Sequence, residues 1–180
     1  NPVQLGQWRK RERSAERAAA VALAPSPDLR QGQSDLKQRH AAAGRAQMSE
    51  RLAQVRSHSL ALAAPLSAED QCVQSMPDAS PTKWHLAHPS WFFEAVVLGP
   101  HSTGYQPFDG RFARLFNSYY ESLGPRHPRP QRGLLTRPGL AEVHAYRAHV
   151  DEALQRLVCD ADEADWTAAA PLIELGLQHE

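Results

Sequence analysis

The chain has 180 residues, of which 42% are hydrophobic, so it is long enough for one domain with its own core. Its 20 basic and 20 acidic side chains balance at zero net charge, which gives no overall attraction to nucleic acid or to an anionic membrane. The sequence has no apolar run near the roughly 18 residues of a transmembrane helix, and its two cysteines make no disulfide framework, so we expect a cytoplasmic protein.

The first 47 residues differ in composition from the remainder. They carry nine Lys or Arg against four Asp or Glu, with alanine runs and few large apolar side chains. Such a segment cannot bury enough apolar surface to offset its chain entropy, so residues 1–47 are predicted to be a disordered or loosely helical basic tail. A nucleic-acid-binding arm or an organelle-targeting peptide is disfavoured, because Glu12, Glu16 and Asp28 interrupt the basic residues.

Residues 48–180 show helical spacing of apolar side chains and no strand pattern, which predicts an all-α domain. The first helix is predicted to end at Pro65. The second is predicted to have Ser80 as its N-cap and to run to about Leu98. We expect it to kink at Pro89, because proline removes a backbone hydrogen bond.

Residues 100–138 are rich in Gly, Pro and aromatic side chains and form a predicted crossover loop. Ordered loops of this length are usually functional. A short helix over residues 112–122 is predicted to turn Tyr119 inward. Thr136 is then the predicted N-cap of a third long helix, and a fourth begins near Asp165. Four principal helices with one long crossover predict a four-helix bundle.

Three histidines stand on predicted amphipathic helices. The stretch SPTKWHLAHPSWFFE places His85 and His88 one turn apart, which is compatible with metal binding, although for this pair alone one buried and one exposed histidine is the favoured interpretation. The final residues, LIELGLQHE, place His179 and Glu180 as the first half of an H-E-x-x-H motif. If a second His followed at the fourth position, two imidazoles would share one face and bind a metal with a third from a neighbouring helix.

Four sequence blocks over more than 100 residues carry a specific family resemblance. They are SMPDASPTKWHLAHPSWFFE, LFNSYYESLGPRHPRPQRGLLTRP, AYRAHVDEAL and LGLQHE. In this order they resemble the N-terminal DinB-like domain of the EgtB family of ergothioneine biosynthesis, the iron-dependent hercynine oxygenases or sulfoxide synthases. The resemblance covers about residues 50–180 and implies a DinB-like four-helix bundle, which in the family precedes a C-terminal sulfatase-modifying-factor-like domain.

The resemblance also implies a mononuclear non-haem Fe(II) held by three histidines. Carried over residue by residue, His88 looks like the first ligand and His179 like the first His of the family's H-E-Q-Q-H pair. The third ligand is then expected beyond Glu180. The candidates for side chains that support or pack against the ligands are His85, Tyr119 and Tyr120.

The implied reaction is O2-dependent C–S bond formation between hercynine and the thiol of γ-glutamylcysteine or cysteine, giving a sulfoxide. Three neutral imidazoles leave open positions on one side of Fe(II), where O2 and a thiolate can bind together. Arg126, Arg129 and Arg132 on the Pro-rich loop are suited to hold the carboxylates of the thiol substrate, Arg126 first and Arg129 second. Without the resemblance, a solvated basic turn is the simpler interpretation.

We expect the chain to be an N-terminal fragment of such an enzyme and inactive by itself. It lacks the third ligand and the C-terminal domain, which in the family supplies the catalytic tyrosine, so no catalytic residue is assigned within it. Its implied partners are the small-molecule substrates and that missing domain, with no nucleic acid and no membrane. The sequence does not separate γ-glutamylcysteine from cysteine.

Two other functions stay open. A DinB-like thiol-dependent transferase or hydrolase would use a similar three-histidine bundle with Zn or Ni and no O2. The aromatic second helix and the NSYYESLGPRHPRP loop favour the oxygenase over it. A metal-free helical interaction module would use His85, His88 and His179 for packing only, and would require His88 and His179 to point away from each other.

Overall fold

The computed structural model describes residues 27–180, and the predictions for residues 1–26 lie outside this range. Over these described residues every regular element is a helix and no strand occurs, which confirms the all-α prediction. The α-helices are α1 (Pro27–Ala63), α2 (Thr82–Phe92), α3 (Gly99–His101), α4 (Phe112–Leu115), α5 (Leu140–Asp160) and α6 (Glu163–His179). A π-helical segment, Phe93–Leu98, joins α2 to α3, and 3-10 turns lie at Asp70–Cys72, Glu121–Leu123 and Arg129–Leu134.

The bundle is formed by the second half of α1, by α2 with its π-helical extension, by α5 and by α6. Residues Arg45–Glu180 make one compact unit. Residues 27–47 of the predicted tail are helical and continue into the bundle part of α1. None of the helices in residues 27–180 is both long and apolar enough to cross a membrane.

Two of the predicted helix caps are wrong. The N-cap of α2 is Pro81 rather than Ser80, whose hydroxyl instead accepts a hydrogen bond from Arg132 Nη1 at 2.8 Å. The N-cap of α5 is Gly139 rather than Thr136. Pro138 follows Thr136 closely and disfavours helical geometry at the residue before it, so the helix begins after this proline.

A change of helix type follows Pro89. The N–H of Phe93 donates to the carbonyls of both Pro89 and Ser90, and the chain then follows the π-helical segment and continues through Gly99 to His101. Glu94 in that segment is buried and accepts hydrogen bonds from the Tyr105 and Tyr146 hydroxyls at 2.6 and 2.8 Å. The wider turn therefore holds a carboxylate inside the bundle.

The short helix predicted over residues 112–122 covers only its first four residues. The buried Asn117 side chain accepts a hydrogen bond from the N–H of Tyr120 and donates to the carbonyls of Tyr120 and Gly124, which turns the chain. Tyr119 consequently points outward and is 66% exposed, so its predicted inward position is wrong.

Gly176 allows α6 to approach the Phe93 ring closely. A Cβ at position 176 would lie 2.3 Å from Cε1 of Phe93, so we expect Gly176→Ala to lower the free energy of unfolding by about 1–3 kcal/mol despite the higher helix propensity of alanine. Gly44→Ala in α1 meets no atom within 4 Å and should be neutral or slightly stabilising. Urea denaturation of both variants checks this; equal stability would mean that the ring moves aside without cost.

Four charged side chains form a buried ion cluster between α1, α5 and the end of α6. Arg56 donates from Nε to Asp151 at 2.6 Å and from Nη1 to Glu180 at 2.9 Å, and Arg147 Nη2 lies 2.5 Å from the other Glu180 oxygen. Burial opposes ionisation of Glu180, but the charges of Arg56 and Arg147 outweigh it and lower the pKa of this carboxyl. Arg147 Nη1 also donates to the carbonyl of Leu86 at 2.7 Å, which ties α5 to α2.

Candidate metal centre

His88 lies between two tryptophan rings on α2. Trp84 precedes it by one turn and Trp91 follows it by one turn, so all three side chains lie on one face of the helix. The His88 ring centroid is 4.7 Å from that of Trp84 and 5.5 Å from that of Trp91, with interplanar angles of 17° and 13°. The ring can therefore turn very little about its own axis.

The stack extends beyond the tryptophans to an arginine. The guanidinium carbon of Arg132 lies 3.5 Å from the centroid of the Trp84 ring. We call Arg132, Trp84, His88 and Trp91 the stacked column. Arg132 and Trp91 are its two ends, and both are almost fully buried.

His88 is held as a neutral imidazole with its Nε2 lone pair available. Its Nδ1 lies 2.7 Å from the carbonyl oxygen of Phe116, which can only accept, so Nδ1 carries the proton. Burial lowers the pKa of His88 to about 4; the Phe116 hydrogen bond opposes this shift, and the charges of His179 and Arg132 add to it. Near neutral pH the ring is thus uncharged, which is the state that ligates a metal.

His179 on α6 is in the same tautomer. Its Nδ1 lies 3.1 Å from the carbonyl oxygen of Leu175, so Nδ1 donates, and its Nε2 accepts from the Tyr120 hydroxyl at 3.0 Å. The ring stacks on Phe92 with a centroid distance of 4.7 Å. The ring is exposed on its other side.

His88 and His179 are linked through the ring contact between Trp91 and Tyr120. Trp91 stacks on His88 and meets the Tyr120 ring at 5.6 Å, and Tyr120 meets His179. The structure thus brings the two predicted ligands from α2 and α6 into one region, where the protonated form of His179 would lower the pKa of His88.

The side chains in this region that are predicted to bind a metal are the imidazoles of His88 and His179. Within the part of the chain that the structure describes, no three His, Cys, Asp or Glu side chains are grouped to hold a metal ion. Two imidazoles, each with Nδ1 bonded to a backbone carbonyl, are suitable ligands for Fe(II) or Zn(II) through Nε2 when a third ligand is added.

The three candidate supporting residues have different surroundings. His85 is an exposed residue whose ring lies edge-on to that of Trp84, with the two ring centroids 5.7 Å apart. Desolvation of the imidazole lowers the pKa of His85, and the charges of Arg132 and Arg129 lower it further. Tyr119 is exposed and lies under the Arg129 guanidinium at 4.7 Å. Only Tyr120 of these three is hydrogen-bonded to a predicted ligand.

A basic cavity lies beside the stacked column, and we call it the arginine pocket. Its volume is about 400 Å³, and its lining residues are Ser118, Tyr119, Arg126, Pro128, Arg129, Pro130 and Arg132. The described lining contains three guanidinium groups. Such a cavity favours an anionic ligand, and guanidinium groups can hold carboxylates in bidentate fashion.

The three arginines differ in burial. Arg126 is exposed and donates from Nη1 to the carbonyl of Ser118 at 2.9 Å, whereas Arg129 is half-buried. Arg132 is 3% exposed, and its Nε has no hydrogen-bond partner among the residues that the structure describes. Burial, then the charges of Arg129 and Arg126, lower the pKa of Arg132 to about 10. The sequence ranking of Arg126 and Arg129 did not identify Arg132 as the buried one; its only signal was the regular three-residue spacing.

Arg132 connects the arginine pocket to the histidines. It lines the pocket and also covers Trp84, which in turn stacks on His88. The pocket and the histidine pair are therefore neighbouring parts of one site.

Comparison with known proteins gives one family match. The model of a family described as the DinB superfamily matches residues 51–177. The matched region contains His88, the arginine pocket and the buried arginines, and it ends two residues before His179. Curated proteins give no match for the chain.

Proposed function

Since the chain belongs to the DinB superfamily, whose members are often metalloenzyme-like, we propose that its bundle is the iron-binding part of a cytoplasmic, O2-dependent sulfoxide synthase. The enzyme joins hercynine to γ-glutamylcysteine or cysteine, as in the EgtB family. The observation that carries this proposal is the shared hydrogen-bonding pattern of His88 and His179. The Nδ1–H of each ring donates to a backbone carbonyl, which leaves Nε2 as the acceptor.

In this proposal, His88 and His179 hold Fe(II) together with a third histidine that follows Glu180. The bound iron supplies the activation of O2. The carbonyls of Phe116 and Leu175 fix the tautomers of the two rings, because a ligating histidine is oriented by the partner of its other nitrogen. Trp84 and Trp91 fix the plane of His88.

The arginine pocket binds the carboxylates of the thiol substrate in this proposal. Arg126 and Arg129 border the open side of the cavity, and Arg132 places a third positive charge at its buried side. Because the stacked column joins this pocket to His88, an anion held there lies close to the proposed metal. This arrangement suits a thiol that carries carboxylates, which both γ-glutamylcysteine and cysteine do.

The test is metal and O2 stoichiometry in the full-length protein. The protein is titrated anaerobically with Fe(II), and O2 uptake is then followed with hercynine and γ-glutamylcysteine or cysteine, with the sulfoxide identified by mass spectrometry. One iron per chain and uptake that requires both substrates support the proposal. Iron binding without O2 uptake would favour a thiol-dependent transferase, and no metal binding would favour a metal-free helical module.

Arg126→Ala is expected to raise KM for the thiol substrate about 10- to 100-fold, because a hydrogen bond between a charged group and a carboxylate contributes about 1.5–3 kcal/mol. KM for hercynine should change little. Steady-state O2 uptake measures both constants. Arg114→Ala is the control, since Arg114 is also an exposed arginine but is not part of the pocket lining. An unchanged KM for the thiol in the Arg126 variant would contradict carboxylate binding in the pocket.

A further inference from the structure

We infer that the Tyr120 hydroxyl competes with the metal for His179. The inference rests on the proposed metal site and adds a residue to it. The hydroxyl donates to the Nε2 lone pair of His179, and metal binding has to displace it.

The contact is specific in its geometry. The Tyr120 oxygen lies 3.0 Å from Nε2 of His179, while Nδ1 of the same ring is engaged by the Leu175 carbonyl. A neutral imidazole has one lone pair in the ring plane, and here it belongs to Nε2. That lone pair can accept from a hydroxyl or bind a metal, but it cannot do both.

The surroundings of Tyr120 favour this contact without requiring it. Its ring packs on Trp91 and Phe92, both almost fully buried. Its backbone is fixed on both sides by the buried Asn117 amide. The Tyr120 oxygen lies on the axis about which its ring turns, so the hydroxyl can leave His179 only by rotation about the Cα–Cβ bond, which needs no change in the backbone.

The hydrogen bond from Tyr120 has to break before Nε2 of His179 can bind a metal, so it lowers the affinity for the metal. Since a hydrogen bond contributes about 0.5–1.5 kcal/mol net, we expect the affinity to be lowered about 2- to 10-fold.

The experiment compares Tyr120→Phe with the wild type and with Tyr119→Phe in the full-length protein. Tyr119→Phe is the matched control for metal binding alone: Tyr119 lines the arginine pocket, but it is exposed and lies under Arg129, and the metal titration involves no thiol substrate. Zn(II) and anaerobic Fe(II) titrations by calorimetry give the affinities. We expect Tyr120→Phe to bind the metal about 2- to 10-fold more tightly and Tyr119→Phe to bind as the wild type does.

A second readout needs neither metal nor activity. Nitrogen-15 NMR of the metal-free protein reports the protonation of each ring nitrogen, and the Nε2 resonance of His179 should shift in Tyr120→Phe and stay unchanged in Tyr119→Phe. Weaker metal binding by Tyr120→Phe would overturn the inference, since the hydroxyl would then assist the metal. Unchanged affinity would overturn it as well.

Failure of the inference and failure of the proposed function give different results. If the wild type binds metal and Tyr120→Phe gains no affinity, the competition is wrong and the metal site stands. If the affinity gain is observed and no O2 is consumed, the competition stands and the oxygenase reaction is wrong. If neither the wild type nor the variants bind Zn(II) or Fe(II), both are wrong.

Discussion

Arg147→Ala is expected to lower the free energy of unfolding by about 3–5 kcal/mol, which is a large part of the roughly 5–15 kcal/mol typical of a domain. Arg147 is 1% exposed, and its guanidinium contacts the Glu180 carboxylate and the carbonyls of Leu86 and Arg56. Its removal takes one of two guanidinium partners from the Glu180 carboxylate and a donor from each of the two carbonyls. Urea denaturation followed by tryptophan fluorescence measures the loss.

The control for this prediction lies on the same helix. Arg156→Ala removes an exposed arginine whose only described ion pair is with Glu152, one turn away, and such pairs contribute little. Similar losses in the two variants would mean that the buried ion cluster does not stabilise the bundle.

Acid unfolding gives a further check on the buried ion cluster. The folded pKa of Glu180 is lowered below its ordinary value of 4.5, so the stabilisation from its ionised form is present above pH 4.5 and is lost as the pH falls through the folded pKa. The pH dependence contributed by Asp151 has the opposite sign, because burial raises the folded pKa of this carboxyl despite the charge of Arg56. The decrease in the free energy of unfolding below pH 4.5 should be smaller in Arg147→Ala, because this variant lacks one of the two charges that lower the pKa of Glu180.

His88→Ala is expected to weaken metal binding by at least about 100-fold, since loss of the groups that merely orient a ligand already costs about 10- to 100-fold. Calorimetric titration of the full-length protein with Fe(II) or Zn(II) measures the change. His88→Gln is the second variant: it fills the space between Trp84 and Trp91, so a loss of binding in both variants cannot be attributed to collapse of the column.

His144→Ala on α5 is the control for the metal titration. His144 is an exposed histidine on a different helix from His88 and is distant from it in sequence. Because the pKa of His88 is about 4, protons should compete with the metal at this ring only as the pH falls towards 4. Wild-type affinity in both His88 variants would show that the metal is held elsewhere.

Sequence periodicity was sufficient for the architecture, because the bundle helices bury apolar faces that recur at three- and four-residue steps. Helix ends were less predictable, since they depend on competing partners. Ser80 resembles an N-cap, but its hydroxyl is used by Arg132, a residue of the crossover loop. A cap prediction from local sequence does not include such distant contacts.

The site was predictable in its residue types and not in its arrangement. The family blocks led to His88 and His179, but their shared tautomer depends on the carbonyls of Phe116 and Leu175, which carry no side-chain signal. Tyr119 and Tyr120 are adjacent and chemically identical, so only the turn made by Asn117 decides which of them reaches His179. These choices are set by tertiary contacts.

The stacked column also gives the candidate site an intrinsic fluorescence signal. His88 lies between two of the four tryptophans of the chain, and indole emission is quenched by a protonated imidazole or a paramagnetic ion at van der Waals distance. Trp84 and Trp91 are both buried, so their emission is separated in wavelength from that of solvent-exposed indoles. The arrival of a metal ion at His88 can therefore be timed in a stopped-flow fluorimeter on the unlabelled protein.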